Sequence, residues 1–135
     1  MADYIAQARS NYFKVKNEEQ FRKFCQEHGL ELITQAPAKK KDPTLFGFMI
    51  SESIPAGRTD DKGEWIETDF IQELAKQLAP DAVAVVMEVG SEKMRYLNGY
   101  TCAVNSTGKT VELNLNQIYQ QAKRRFGILP TTAEY

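Results

Sequence analysis

Residues 82–126, AVAVVMEVGSEKMRYLNGYTCAVNSTGKTVELNLNQIYQQAKRRF, decide the fold. They open with a nearly unbroken apolar run, which is typical of a buried strand. A turn at Gly90 leads to a long strand through Tyr96 and Tyr100, and Gly108 marks a tight turn before the alternating strand 110–115. Residues 116–126 then show helical spacing. The segment predicts an antiparallel meander closed by an amphipathic helix.

The residues before this segment supply the remaining elements. Asn17 and Asp69 each precede a glutamine by three positions, a spacing typical of helix N-termini, and Gly29 and Pro80 mark the helix ends. Residues 51–64 are predicted to form a long surface loop. Three short strands are predicted at 12–15, 30–34 and 45–50. The predicted fold is therefore α+β, with a mostly antiparallel sheet of five to six strands and three helices on one face, in the order β-α-β-β-α-β-β-β-α.

Length and composition indicate one domain. The chain has 135 residues, of which 42% are hydrophobic and 26% charged, as in ordinary globular proteins. We expect a flexible leader at 1–10, a single domain at 11–129 and a tail at 130–135. The formal net charge of −1 argues against a nucleic-acid-binding protein, which would carry a basic excess, and against an acidic mimic of nucleic acid.

The cysteines and the hydropathy pattern bear on location. Cys25 and Cys102 belong to no C-x-x-C pair, so we expect free, buried thiols and no zinc site. No apolar run approaches the ~20 residues of a membrane span. The first residues lack the pattern of a secretory signal. The expectation is a cytoplasmic protein that does not enter membranes.

One motif matches the sequence pattern of a phosphate-binding loop but lacks its structural context. Residues 103–110, AVNSTGKT, satisfy a relaxed form of that pattern. The chemistry requires a helix to start at Lys109-Thr110, whereas an alternating strand follows them. We interpret 105–109 as a hairpin turn, so the sequence predicts neither a nucleotide site there nor a cofactor.

The other candidates for chemistry have ordinary structural interpretations. His28 lies in the last turn of the first predicted helix, where the helix dipole favours a protonated imidazole, and no nucleophile motif accompanies it. The lysine run 39–41 is expected to be a solvated loop. The carboxylates between 60 and 69 lack calcium-loop spacing. The sequence therefore predicts no catalytic residue and no metal site.

The stretch 88–100 is the predicted partner-binding site. Tyrosine and arginine are enriched at binding hot spots, and the pattern places Tyr96, Asn98 and Tyr100 on one strand face and Arg95 on the other. An ion pair between Glu88 and Arg95 across the hairpin is the structural alternative. Trp65 is a second candidate contact, with core anchoring as its alternative. The predicted partner-binding residues are Glu88, Glu92, Lys93, Arg95, Tyr96, Asn98, Tyr100 and Trp65.

Four strings in the chain also carry a resemblance. They are NYFKV at 11–15, VMEVGSEKMRYLNGY at 86–100, AVN at 103–105 and IYQQAK at 118–123. With them the chain resembles small uncharacterised proteins carried by plasmids, integrative elements and phages. The resemblance implies an accessory gene of the kind that often encodes inhibitors of host defence, such as anti-CRISPR or anti-restriction proteins. It carries no functional residues over.

The first hypothesis is a non-enzymatic binding protein of a mobile genetic element. It would dock on a partner protein, a component of a bacterial defence system, and its own oligomerisation is left open. A second hypothesis is a small-molecule or nucleotide-binding module that sequesters a signalling nucleotide, using Arg58 and the lysines at 39–41 for phosphates and aromatic residues for base stacking. A third is a metal-dependent enzyme using the acidic segment 60–69.

Overall fold

The computed structural model describes residues 4–93 and 95–133, and for Tyr96 the backbone. Three helices lie within the described residues: α1 (Glu18–His28), α2 (Phe70–Ala75) and α3 (Gln117–Phe126). The strands are β1 (Ile5–Ser10), β2 (Glu31–Gln35), β3 (Leu45–Ile50), β4 (Gly57–Thr59), β5 (Trp65–Glu67), β6 (Val83–Glu92), β7 (Tyr96–Asn105) and β8 (Thr110–Asn114).

The main sheet has six strands in the order β2-β3-β1-β6-β7-β8, and every pairing in it is antiparallel. Strands β6, β7 and β8 form the predicted meander. Strands β4 and β5 form a separate two-stranded sheet. The predicted α+β class, with a mostly antiparallel sheet and three helices, is confirmed.

The leader predicted at 1–10 is wrong for residues 5–10. These residues form β1, which lies inside the sheet between β3 and β6. Ala6, Ala8 and Ser10 alternate toward the core and are buried. The strand predicted at 12–15 instead contributes two isolated bridges, from Phe13 to Phe46 and from Val15 to Leu78. The inward residues of β1 are small, so the sequence shows no clear alternation of large apolar and polar residues there. Alanine is also depleted in strands.

The predicted helix starts are confirmed. The Asn17 side chain accepts a hydrogen bond from the Gln20 N–H at 2.9 Å, and Asp69 accepts one from the Gln72 N–H at 3.2 Å. Gly29 ends α1 in the left-handed region, with φ of 69°. Helix α2 ends at Ala75, before the predicted stop at Pro80, and the Ala79 N–H bonds to the Lys14 carbonyl instead.

The predicted long loop at 51–64 contains β4. This strand pairs with β5, and the Asp60 carboxylate closes their turn by accepting hydrogen bonds from the N–H groups of Lys62 and Glu64. Arg58 on β4 forms an ion pair with Glu27 of α1 at 2.8 Å. The segment is therefore held against α1 rather than free in solvent.

The core lies between one face of the sheet and helices α1 and α2. Its centre is a group of phenylalanine rings: Phe13, Phe21, Phe24, Phe46, Phe48 and Phe70. Helix α3 does not join them, because none of its residues is buried. The predicted helix over 116–126 is confirmed, but its apolar stripe does not pack on the core. The opposite face of the sheet, here called the outer face, carries exposed apolar side chains on β6, β7 and β8.

Candidate functional site

The predicted site lies on the β6–β7 hairpin, whose strands pair along their full length. Lys93 occupies the turn with a φ of 45°, and the Arg95 N–H bonds to the Glu92 carbonyl at 2.8 Å. The alternative ion pair between Glu88 and Arg95 is wrong. Glu88 stands opposite Tyr100, well down the strand, while the Arg95 guanidinium lies 4.0 Å from Glu92. The side chain of Tyr96, another predicted contact, lies outside the described residues.

Glu88 is the centre of a hydrogen-bond network that fixes three segments together. Its Oε1 accepts a bond of 2.6 Å from the Ile54 N–H. Its Oε2 accepts bonds from the Tyr4 hydroxyl at 3.0 Å and the Asn98 amide at 3.3 Å. The Asn98 amide also donates to the Tyr4 hydroxyl. Glu88 and Asn98 thus connect the hairpin to the start of β1 and to the loop before β4.

Tyr100 and Trp65 occupy two other environments. The Tyr100 hydroxyl donates to Glu112 at 3.0 Å, and burial, followed by this hydrogen bond, raises its pKa. Trp65 lies in the separate β4–β5 sheet, with 62% of its surface exposed. It is therefore not a core anchor, and it lines a cleft of about 400 Å³ with residues 50–57.

The outer face has a shallow apolar depression beside the hairpin turn. Its volume is about 440 Å³, and its lining includes Ile5, Val89, Leu97 and Leu115. All four of these side chains are more than half exposed. The charged residues of the turn follow directly in the chain. We call this set the hairpin-end surface; it comprises Ile5, Val89, Leu97 and Leu115 with Glu92, Lys93 and Arg95.

A second apolar area lies next to the first on the outer face of β6, β7 and β8. The register places Met87, Thr101 and Leu113 side by side across three strands, and Val85, Ala103 and Val111 in the next row. Small side chains on β7 thus lie between larger ones on β6 and β8, which makes a trough along β7. We call it the outer trough; its residues are Val83, Val85, Met87, Thr101, Ala103, Val111 and Leu113.

The sequence does not predict these exposed apolar surfaces, because the run at 82–89 predicts a buried strand. In the structure Ala84 and Val86 are buried, while Val83, Met87 and Val89 are exposed. A continuous apolar run looks the same whether one face or both faces of its strand are covered within the chain.

His28 lies in a polar cleft of about 360 Å³ between α1, α2 and β4. Its Nδ1–H donates to the Phe24 carbonyl at 2.7 Å, and its buried Nε2 finds no partner among the described residues. Burial lowers the pKa of His28, against the smaller opposing effects of the Phe24 hydrogen bond and the Glu27 carboxylate. Contrary to the sequence interpretation, the imidazole is stabilised in its neutral form.

This lowered pKa predicts an acid-sensitive contribution to stability. Below the ordinary value of 6.5 the unfolded chain takes up a proton on His28 that the folded chain resists, so the free energy of unfolding should fall as the pH drops from ~7.5 to ~5.0. The free energy of unfolding of the His28→Leu variant should fall less over the same pH interval. Urea denaturation of both proteins at the two pH values measures the difference, since the carboxylates common to both cancel. An equal loss would contradict the assignment.

The acidic segment 60–69 and residues 103–110, which match the relaxed phosphate-loop pattern, have structural roles. Asp60 closes the β4–β5 turn, Asp69 caps α2 and Asp61 lies 3.3 Å from Lys23. Among residues 4–93 and 95–133, no group of three histidine, cysteine or acidic side chains could hold a metal ion. Asn105 accepts hydrogen bonds from the N–H groups of Thr107 and Lys109, which confirms the hairpin turn at 105–109.

Both cysteines are free and buried, as the sequence predicted. Burial raises the pKa of Cys25 to about 12 and also raises the pKa of Cys102. Because thiolates are the reactive form, the burial and raised pKa of both side chains disfavour nucleophilic chemistry in the folded protein.

No protein-family model, no curated protein and no solved structure matches this chain. Within the part of the chain that the structure describes, no helix is long and apolar enough to cross a membrane.

Proposed function

We propose that this chain is a non-enzymatic binding protein that acts by docking on a partner protein through the hairpin-end surface. The observation that supports the proposal is the apolar depression, lined by Val89 and Leu97, beside the exposed charges of Lys93 and Arg95. An apolar centre with a charged border is the usual composition of a protein–protein contact. Arginine beside such a centre is a frequent hot-spot residue.

The Glu88 network supports the same proposal by keeping the hairpin rigid. Its hydrogen bonds hold the hairpin to β1 and to Ile54, so the surface has little conformational entropy to lose on binding. In this proposal Glu88 and Asn98 are positioning residues, while Arg95, Lys93 and Leu97 touch the partner.

The finer part of the proposal concerns the partner's identity. We propose a cytoplasmic component of a bacterial defence system, on the basis of the resemblance to proteins of mobile elements. The nucleotide alternative has less support, because Arg58, its proposed phosphate contact, is paired with Glu27.

Affinity capture from bacterial lysate with mass spectrometry tests the docking surface. We expect the tagged wild type to retain one protein in near-stoichiometric amount. Leu97→Glu should weaken capture about 100-fold, because it places a charge in the apolar centre, and Arg95→Ala about 10-fold. Both side chains are exposed, so both variants should fold.

Matched controls come from exposed residues outside the surface. Ile128→Glu makes the same change as Leu97→Glu at a side chain 73% exposed, and Lys76→Ala pairs with Arg95→Ala. The controls should capture the partner as the wild type does. Undiminished capture by Leu97→Glu and Arg95→Ala, with both variants folded, would assign the contact to another surface.

A further inference from the structure

Helix α3 is amphipathic, but none of its residues is buried; Tyr119 and Ala122 are partly covered, and the Tyr119 hydroxyl accepts a hydrogen bond from the Ala133 N–H at 2.6 Å. Ile118, Tyr119, Ala122 and Phe126 fall on one face by their spacing. Ile118 is 60% exposed and Phe126 76% exposed. A short helix with an uncovered apolar face gains little stability in water unless that face is buried by another surface.

The outer trough has the dimensions and the chemistry to receive such a helix. The backbones of β6 and β8 lie about 10 Å apart, twice the strand spacing of roughly 4.8 Å, so the side chains on one face of a helix can pack between the larger side chains of these two strands. The ten residues of α3 span about 15 Å at roughly 1.5 Å each. The trough residues of β6, from Val83 to Met87, cover a similar length. No trough residue is charged.

The connection between β8 and α3 keeps the helix off the trough of its own chain. Only two residues separate these elements. The Leu115 N–H bonds to the Gly99 carbonyl at 3.0 Å, and the Asn114 N–H bonds to the Gln117 side chain at 2.8 Å, which fixes the direction of the turn. Val111 and Leu113 accordingly remain 68% and 56% exposed beside an uncovered helix.

We propose that two copies of this chain associate by exchanging α3, so that each helix lies in the outer trough of the other copy. One chain carries both the apolar helix and its receptor, which is the condition for a closed two-fold dimer in which the same contact is made twice. By helical spacing the exchange leaves Lys123 and Arg124 away from the trough and Arg125 at the border of the contact. The hairpin-end surface begins in the next row of the same face, at Val89 and Leu115, and its turn residues extend beyond the trough, so each copy of the dimer can still dock on a partner there.

Sedimentation velocity over about 1–100 µM tests the exchange. We expect the wild type to sediment as a dimer of the 15.3 kDa chain. Ile118→Glu on the helix and Leu113→Lys in the trough should each raise the dissociation constant about 100-fold, because each buries a charge in an apolar contact. Both residues are exposed in the single chain, so both variants should fold, which circular dichroism verifies. Gln120→Glu, on the opposite face of α3, is the matched control and should leave the dimer unchanged.

Mixing the two variants distinguishes exchange from other arrangements. An Ile118→Glu chain still has an intact trough, and a Leu113→Lys chain still has an intact helix. Their mixture should recover dimers, since one contact is unaltered and the other sets the introduced carboxylate against the introduced ammonium group. A wild type that is monomeric throughout the range overturns the proposal. A dimer that survives Leu113→Lys also overturns it, because a contact between two α3 helices alone would behave in that way.

The outcome is separable from that of the proposed function. Ile118→Glu should still capture the docking partner, while Leu97→Glu should still dimerise. Loss of partner capture in both variants would mean that the partner binds across the hairpin-end surface and the α3 contact together.

Discussion

Replacing Ala8 with glutamate should abolish the cooperative unfolding transition. Ala8 is 6% exposed in β1, where its side chain belongs to the core and its backbone lies between Ile50 and Glu88. A carboxylate there is buried without a partner and overfills a close-packed site, at a cost of about 5 kcal/mol. Whole domains are stable by roughly 5–15 kcal/mol, so the variant should be largely unfolded. Urea denaturation followed by circular dichroism measures the effect.

Gln7→Glu is the matched control. Gln7 is the neighbouring residue on the same strand, but it is exposed on the opposite face, so the same new charge should change stability by about 0.5 kcal/mol or less. The contrast depends on β1 being an interior strand. If residues 5–10 were a flexible leader, Ala8→Glu and Gln7→Glu would both retain the wild-type transition.

The elements that sequence predicts well are those fixed by neighbouring residues. The caps at Asn17 and Asp69, the left-handed Gly29 and the turn at 105–109 depend on side chains within four positions of one another. A short pattern is sufficient to specify such contacts, because the hydrogen bonds close locally.

Strand β1 is different because its partners are distant in sequence. It pairs with β6, about eighty positions later, and its buried residues are Ala6, Ala8 and Ser10. Small side chains fit there because larger core residues, Phe48 on the adjacent strand among them, fill the space above the sheet. A local pattern cannot indicate that small residues will be covered by large side chains from distant segments. The sequence therefore predicts a leader where the structure has a strand.

The candidate site is predictable only in part, for the same reason. Residue type identifies the hairpin, and the structure keeps Arg95 and Lys93 exposed at its turn. Glu88 and Asn98 instead bond to each other and to Tyr4 of the same chain. The sequence does not predict this network, because alternation along a strand does not tell which face is inner. The apolar spacing of α3 is equally clear in the sequence, but amphipathicity shows only that a face needs covering, not which molecule covers it.

Phe48→Ala should lower the free energy of unfolding by about 3–5 kcal/mol. Phe48 is fully buried on β3, and its ring packs edge-on against Phe70 at 5.7 Å and beside Phe13 at 6.4 Å. Truncation loses the transfer free energy of the ring and leaves a cavity that the neighbouring rings only partly fill. A loss of that size should lower Tm by roughly 10–20 °C in a domain of this length.

Phe48→Leu separates the cavity from other effects of the substitution. Leucine keeps most of the buried volume, so it should cost about 1–2 kcal/mol at the same position. Calorimetry of wild type and both variants orders the three proteins. Phe48 faces α1 and α2, away from the outer trough, so the losses should be independent of protein concentration once the dimer is dissociated, for example in the Ile118→Glu background. Equal, small losses for both variants would show that the phenylalanine cluster is not the core that holds the sheet to its helices, and the open outer face would then have to be reconsidered as the packed one.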